Sequence, residues 1–236
     1  MEHPIYCEQP VFSSFFEPFN TITNLFFVIA GILLICQFKK SKKLNVKALY
    51  LSILLIVIGT GSFAWHLYRT NFTLLIDSIP IGIFILSYLY LYLVKTTKNF
   101  YLRIALYIGF YIYTILLSVL LENLTSTVIF GNGGLGYIIA ISYFIILQVY
   151  NYLKFKIIVK KSLIISFIFL VSIFFRQIDI TICNLIGIGT HFLWHILNSL
   201  VLYLFVRLLY FDNLFNTKKP RFFSRLSMAK FLGIFK

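Results

Sequence analysis

Thr190-His191-Phe192-Leu193-Trp194-His195-Ile196-Leu197-Asn198 opens a run that stays apolar to Tyr210. About 20 residues of that composition are enough to cross a bilayer as a helix. On a helix, residues four apart share a face. His191 and His195 therefore stand about 6 Å apart along one side of the first turns, at about 1.5 Å per residue, and can reach one ion. Paired histidines near a membrane interface also serve simply to hydrogen-bond neighbouring helices. What separates the two readings is whether other polar residues converge on the pair.

Six further apolar stretches surround this one. The spans read as Thr21 to Phe38, Ala48 to Leu67, Thr73 to Val94, Tyr101 to Leu121, Leu135 to Tyr152, Ile158 to Phe175 and Gly189 to Tyr210. The chain is 60% hydrophobic and only 12% charged, with mean hydropathy +0.93, far from the balance of a soluble domain. The pattern predicts an all-α polytopic membrane protein, a seven-transmembrane helix bundle forming one domain over 1–236 with a basic tail from about 212. No separate soluble domain fits in what the spans leave over. Glu2 and Glu8 stand where a signal peptide carries its basic segment, so no cleavable signal is predicted.

A net charge of +14 suggests nucleic acid until its distribution is considered. Apart from Arg69 and Arg176, the lysines and arginines lie around alternate connections (Lys39 to Lys47, Lys95 to Arg103, Lys154 to Lys161) and at the C-terminal end from Arg207 onward. That asymmetry is the positive-inside pattern, which places the N-terminus outside and the C-terminus in the cytoplasm. The partner it implies is the bilayer, with no nucleic acid. The tail from Arg221 to Lys236, basic with interspersed phenylalanines, either lies along anionic headgroups or is a solvated end.

Along the chain, Glu17, Asn20, Thr21 and Asn24 form a polar stripe entering the first span. It either packs against other helices through hydrogen bonds or binds a cation or a substrate headgroup. Span two closes with Gly59, Gly61, Ser62 and His66, the small residues permitting close helix approach and Ser62 sharing a face with His66. Span three carries Asp77 and then Pro80, which is expected to kink it. A carboxyl left unpaired at the bilayer centre costs about 3 kcal/mol, less near the interface, so Asp77 faces the bundle and a partner, structural or functional. Glu122 and the turn Gly131-Asn132-Gly133-Gly134 read as an outer connection, and Asn123-Leu124-Thr125 as a chance glycosylation match. Arg176, at the end of span six, is expected to pair with Asp179 or with the Glu8 and Glu17 region.

Alternating spans bring Ser62, His66, Asp77, His191 and His195 within about two turns, some 10 Å, of the outer surface. Three of the four histidines thus gather at one level, and His3 is assigned no role. Three imidazoles with a fourth position open are a ligand set of catalytic zinc. A carboxylate and a hydroxyl beside them suit proton transfer and oxyanion stabilisation.

At these residues the chain resembles the alkaline ceramidase family, within the seven-span membrane hydrolases that include adiponectin-type receptors. The matching pieces are Cys7-Glu8, Glu17-Pro18-x-Asn20-x-x-x-Asn24, Gly61-Ser62-x-x-x-His66, Asp77, Arg176-x-x-Asp179-x-x-x-Cys183 and His191-x-x-Trp194-His195. Order and spacing look most like the bacterial ceramidase-domain branch. Between Ile81 and Phe175 the likeness is one of hydropathy alone. The resemblance implies a zinc ion, Zn2+, on His66, His191 and His195, with Asp77 and Ser62 catalytic. It also implies hydrolysis of the amide of ceramide, or of a close sphingolipid relative, to a sphingoid base and a fatty acid. Eukaryotic members bind calcium through an acidic N-terminal segment. Here Ile5 and Pro10 stand where oxygen ligands are expected, so a Ca2+ site on Glu8 and Glu17 is at best weakened.

The reading is therefore a zinc-dependent lipid amidase of the bacterial inner membrane acting on a membrane lipid, its protein partners unknown. A hydrolase of another acyl lipid and a non-enzymatic, receptor-like signalling protein are the alternatives. Of the three cysteines, Cys36 falls on the inner side, whereas Cys7 and Cys183 fall on the outer, oxidising side and are expected to form a disulfide. A peptide mass map is expected to show Cys7 linked to Cys183 without reductant and released with it; free Cys7 in both maps rules the pairing out.

Overall fold

The computed structural model describes residues 5–8, 17–43, 45–122, 134–155 and 160–211. His3, the motif at 123–125, the turn at 131–133 and the basic tail lie outside them. The described residues form eight helices: α1 (Pro18–Thr23), α2 (Leu25–Lys40), α3 (Val46–Tyr68), α4 (Asn71–Thr96), α5 (Phe100–Glu122), α6 (Leu135–Phe155), α7 (Lys160–Ile178) and α8 (His191–Tyr210). The first two together make one span, Pro18–Lys40, and seven stretches are long and apolar enough to cross a membrane. The protein is an all-helical bundle of the expected kind, most spans starting or ending a residue or more beyond their apolar cores.

The sixth span is shifted toward the C-terminus, to Lys161–Ile178. Arg176, expected at its end, lies inside the helix and is buried. Its guanidinium lies 5.8, 5.5 and 5.3 Å from the ring centroids of Tyr6, Tyr137 and Trp194. Aromatic faces attract a cation, so the helix can run past a charge that hydropathy treats as its boundary.

Helix ends are set locally. Asn45 caps α3 by accepting from Ala48 N at 2.9 Å, and Thr70 and Thr73 form a reciprocal capping box on α4. Between these helices Arg69 adopts a left-handed conformation, φ 54° and ψ 38°, which ends α3 at once. The two-residue turn Arg69–Thr70 leaves the last turn of α3 beside the first turns of α4. Pro80 does not end α4, which continues to Thr96.

α3 lies at the centre, packed against α1, α2, α4 and α8. Glycines set how closely. A Cβ on Gly59 would stand 2.9 Å from the Asn24 carbonyl, one on Gly31 2.6 Å from the Ser52 carbonyl, and one on Gly61 would collide with the Ile76 carbonyl. Helix association in lipid rests on van der Waals contact and hydrogen bonds, so backbone approach of this kind is a main source of cohesion. Leucines, isoleucines and valines such as Ile32, Ile53, Ile79, Leu116 and Val149 point outward, as the hydrocarbon solvent requires. α5 is peripheral, and of its described residues only Phe110 is buried.

Gly61→Ala is expected to destabilise the bundle by about 1–3 kcal/mol, because the colliding atom is backbone and the two helices must part. Gly82→Ala, on α4 with nothing within 4 Å of the added carbon, is the control. Equal apparent melting temperatures in detergent for both variants would mean that this contact does not hold α3 to α4.

Candidate metal centre

Two anchors bring the N-terminal segment onto the ends of α3 and α8. Cys7 and Cys183 are joined by a disulfide, their Cα atoms 5.4 Å apart. Asp179 accepts from the backbone N–H of Cys7 at 2.9 Å, Thr190 at 2.7 Å and His191 at 2.9 Å. It thereby caps α8 from a distance and holds residue 7 against it. The chain reaches this cap through Gly189 at φ +63°, where a Cβ would also meet Cys7 Cβ at 2.6 Å, so only glycine fits. Glu8 likewise caps α1, accepting from Phe19 N at 2.6 Å and Asn20 N at 2.9 Å.

Under this cover lie His66, from the last turn of α3, and His191 and His195, from the first turns of α8, all three buried. Ring centroids are separated by 5.3 Å (His66 to His191), 4.8 Å (His66 to His195) and 4.7 Å (His191 to His195). One nitrogen from each ring lies within 4.8 Å of the other two, and the three can hold a metal ion.

The neighbours of two rings indicate which nitrogen. His66 Nδ1 lies 2.6 Å from Glu17 Oε2, and Glu17 also receives Asn20 Nδ2 at 2.9 Å and faces Arg69 Nε at 3.3 Å. A carboxylate only accepts, so His66 carries its proton on Nδ1. His195 Nδ1 lies 3.0 Å from Thr23 Oγ1. The Thr23 hydroxyl donates to the Phe19 carbonyl at 2.7 Å and so accepts from the imidazole. Both rings therefore leave Nε2 with its lone pair, the atom a metal needs. His191 stacks on Tyr6 at 3.9 Å between centroids and 25° between planes. Its Nδ1 is buried and has no hydrogen-bond partner among the described residues.

Asp77 and Ser62 complete the cluster. The Ser62 hydroxyl is hydrogen-bonded to the Asp77 carboxyl, whereas Asp77 Oδ1 is buried with no partner among the described residues. The contact between Gly61 and the Ile76–Asp77 backbone is what brings them together. Outside the spans, burial pushes Glu17 up from the ordinary carboxylate range, while the Arg69 charge and the Asn20 hydrogen bond oppose it. Burial likewise raises Asp179 and Glu8 against the backbone N–H groups each accepts. The Tyr6 phenol is raised chiefly by burial, with Arg176 opposing and Asp77 adding to the rise. Asp77 therefore lies within electrostatic reach of the residue that stacks on His191.

All five residues of the expected constellation are thus gathered at one end of the bundle. Other expectations change. Asp179 engages backbone N–H groups, and Arg69 is the cation at Glu17. Glu8 and Glu17, the two acids of the calcium reading, cap α1 and hold His66 and Arg69 respectively. The polar stripe packs inward, with Asn24 Nδ2 donating to the Asn20 carbonyl at 2.8 Å. The sequence reading did not single out Tyr6 or Thr23 for the site. Arg69 carried a signal, being one of two cations on the site's side of the chain.

Deeper in the bundle a small apolar cavity of about 70 Å³ is lined by Phe84, Tyr88, Phe144, Val201 and Phe205 among others. Val201 and Phe205 follow His195 by six and ten residues, about 9 and 15 Å further along α8. Compared with known proteins, the chain matches the family model described as Ceramidase over residues 6–231. No curated protein matches it.

The donor set fits a metal because three buried imidazoles converge and two are held in the ligating tautomer. Mass spectrometry of the detergent-purified protein is expected to find about one metal ion per chain, lost in a folded His191→Ala, His195→Ala double variant. A folded wild type that holds no metal would rule the centre out.

Proposed function

Since the chain belongs to the ceramidase family, we propose that it is a zinc-dependent membrane amidase that hydrolyses the amide of ceramide or a close sphingolipid relative. The observation that carries this reading is the buried triad His66, His191 and His195 beside a carboxyl with an unpartnered oxygen. Three imidazole donors with room for a fourth ligand suit catalytic zinc better than structural zinc, which closes its site with protein. When bound, zinc would supply Lewis acidity toward the amide carbonyl and a lowered pKa for water.

The chain's own residues do the rest. Asp77 takes the proton of the attacking water and returns it to the leaving amine as the C–N bond breaks, the two-way role open to a positioned carboxylate. The products are a sphingoid base and a fatty acid. At rest Ser62 donates to Asp77. Once Asp77 is protonated that bond can reverse, freeing the Ser62 hydrogen for the oxyanion. The acyl chain packs against the apolar lining around Val201 and Phe205, away from water. The distribution of basic residues supports a site at the outer face, with the N-terminus, and the reading assigns the protein to the inner membrane of a bacterium.

Asp77→Asn is expected to retain metal while fatty-acid release from ceramide falls by about 100-fold or more. Undiminished turnover would remove Asp77 from proton transfer. Comparing the lipids of cells with and without the protein tests the substrate. Accumulation of ceramide without the protein is the expected result, and accumulation of a different acyl lipid instead would replace ceramide.

A further inference from the structure

The N-terminal residues do more than cover the site, because each histidine of the triad is touched by one of them. Tyr6 stacks on His191, Glu17 faces His66 Nδ1 at 2.6 Å, and Thr23 faces His195 Nδ1 at 3.0 Å. Glu17 and Thr23 lie six residues apart at the two ends of α1, a helix too short to span anything. Its placement is determined on every side. Glu8 caps its start, Glu17 N donates to the His66 carbonyl at 3.3 Å, and the Cys7–Cys183 disulfide anchors the segment before it.

We infer that α1 is a positioning clamp for the triad, with Glu17 and Thr23 as positioning residues that hold Nδ1–H on His66 and His195 and turn Nε2 of both toward the ion. The inference rests on the metal reading above. An imidazole free to rotate or to change tautomer presents its lone pair only part of the time, and an acceptor behind it removes that loss. A carboxylate behind a ligating histidine also raises the basicity of the ligating nitrogen. Glu17 is therefore the stronger of the two, and Arg69 Nε faces its other oxygen, Oε1, at 3.3 Å. The two rings are served differently: His66 by an ion-paired carboxylate, His195 by a hydroxyl.

The test combines two measurements on the full-length protein in detergent. Histidine 15N NMR of the metal-free wild type is expected to show Nδ1–H tautomers for His66 and His195. Zn2+ affinity, by competition with a chelator, is expected to fall about 10-fold or more in Glu17→Gln and about threefold in Thr23→Val, with Thr23→Ser restoring it. Melting temperatures of the metal-free proteins show whether a variant is folded, and Thr23→Val keeps the test open if Glu17→Gln is not. Nε2–H tautomers in the wild type, or affinities in both variants within twofold of it, would overturn the clamp. Nδ1–H tautomers in a wild type that takes up no Zn2+ would overturn the metal reading and leave the clamp standing.

Discussion

The Glu17 carboxylate lies between His66 Nδ1 at 2.6 Å and Arg69 Nε at 3.3 Å, with the acid and its partners' side chains almost wholly withdrawn from solvent. A buried charge is tolerated only when paired and hydrogen-bonded, so these three groups have to be found together. Their meeting fixes where the N-terminal segment crosses the end of α3. It also gives a reason for Arg69 to take a left-handed conformation, which ends α3 and starts the short turn into α4. From that turn follow the Gly61 contact and the approach of Asp77 to Ser62.

The rest of the site repeats the same solution with different chemistry. Asp179 meets three backbone N–H groups from two distant parts of the chain, and Glu8 meets two. Arg176 lies among aromatic faces. These buried charges are thus given partners that lower the cost of their burial, and together they draw α1, α3, α7 and α8 to one point. The lower half, by contrast, is filled by aromatic contacts such as Tyr88 with Phe205 and Phe144 with Tyr92. One end of the bundle thus gathers its buried polar groups, and the rest is packed with apolar and aromatic side chains.

Much of this was legible in the residues. Seven spans follow from hydropathy, and the level of His66, Asp77, His191 and His195 follows from alternating helix direction. What was not legible is partner choice. Arg176 was expected to pair with Asp179 or with the Glu8 and Glu17 region, and its guanidinium also faces aromatic rings from residues 6, 137 and 194, which charge alone does not suggest. Thr23 was indistinguishable from any other threonine in an apolar helix until His195, 172 residues later, was placed against it. Glu8 and Glu17 were read as a weakened cation site, and the sequence did not show that one caps α1 and the other meets His66.

By itself, then, the sequence determined that this is a membrane protein of seven spans with three histidines, an acid and a serine near one end. Length, hydropathy and helical spacing are properties of single segments, and they survive without knowledge of neighbours. Only the tertiary structure decided which nitrogen of each imidazole faces the centre, which cation meets Glu17 and what Asp179 caps. Those outcomes depend on how each helix is rotated about its axis and how closely its backbone approaches the next. Both are set by contacts such as Gly61 on Ile76 and the Cys7–Cys183 bond, whose two halves lie far apart along the chain.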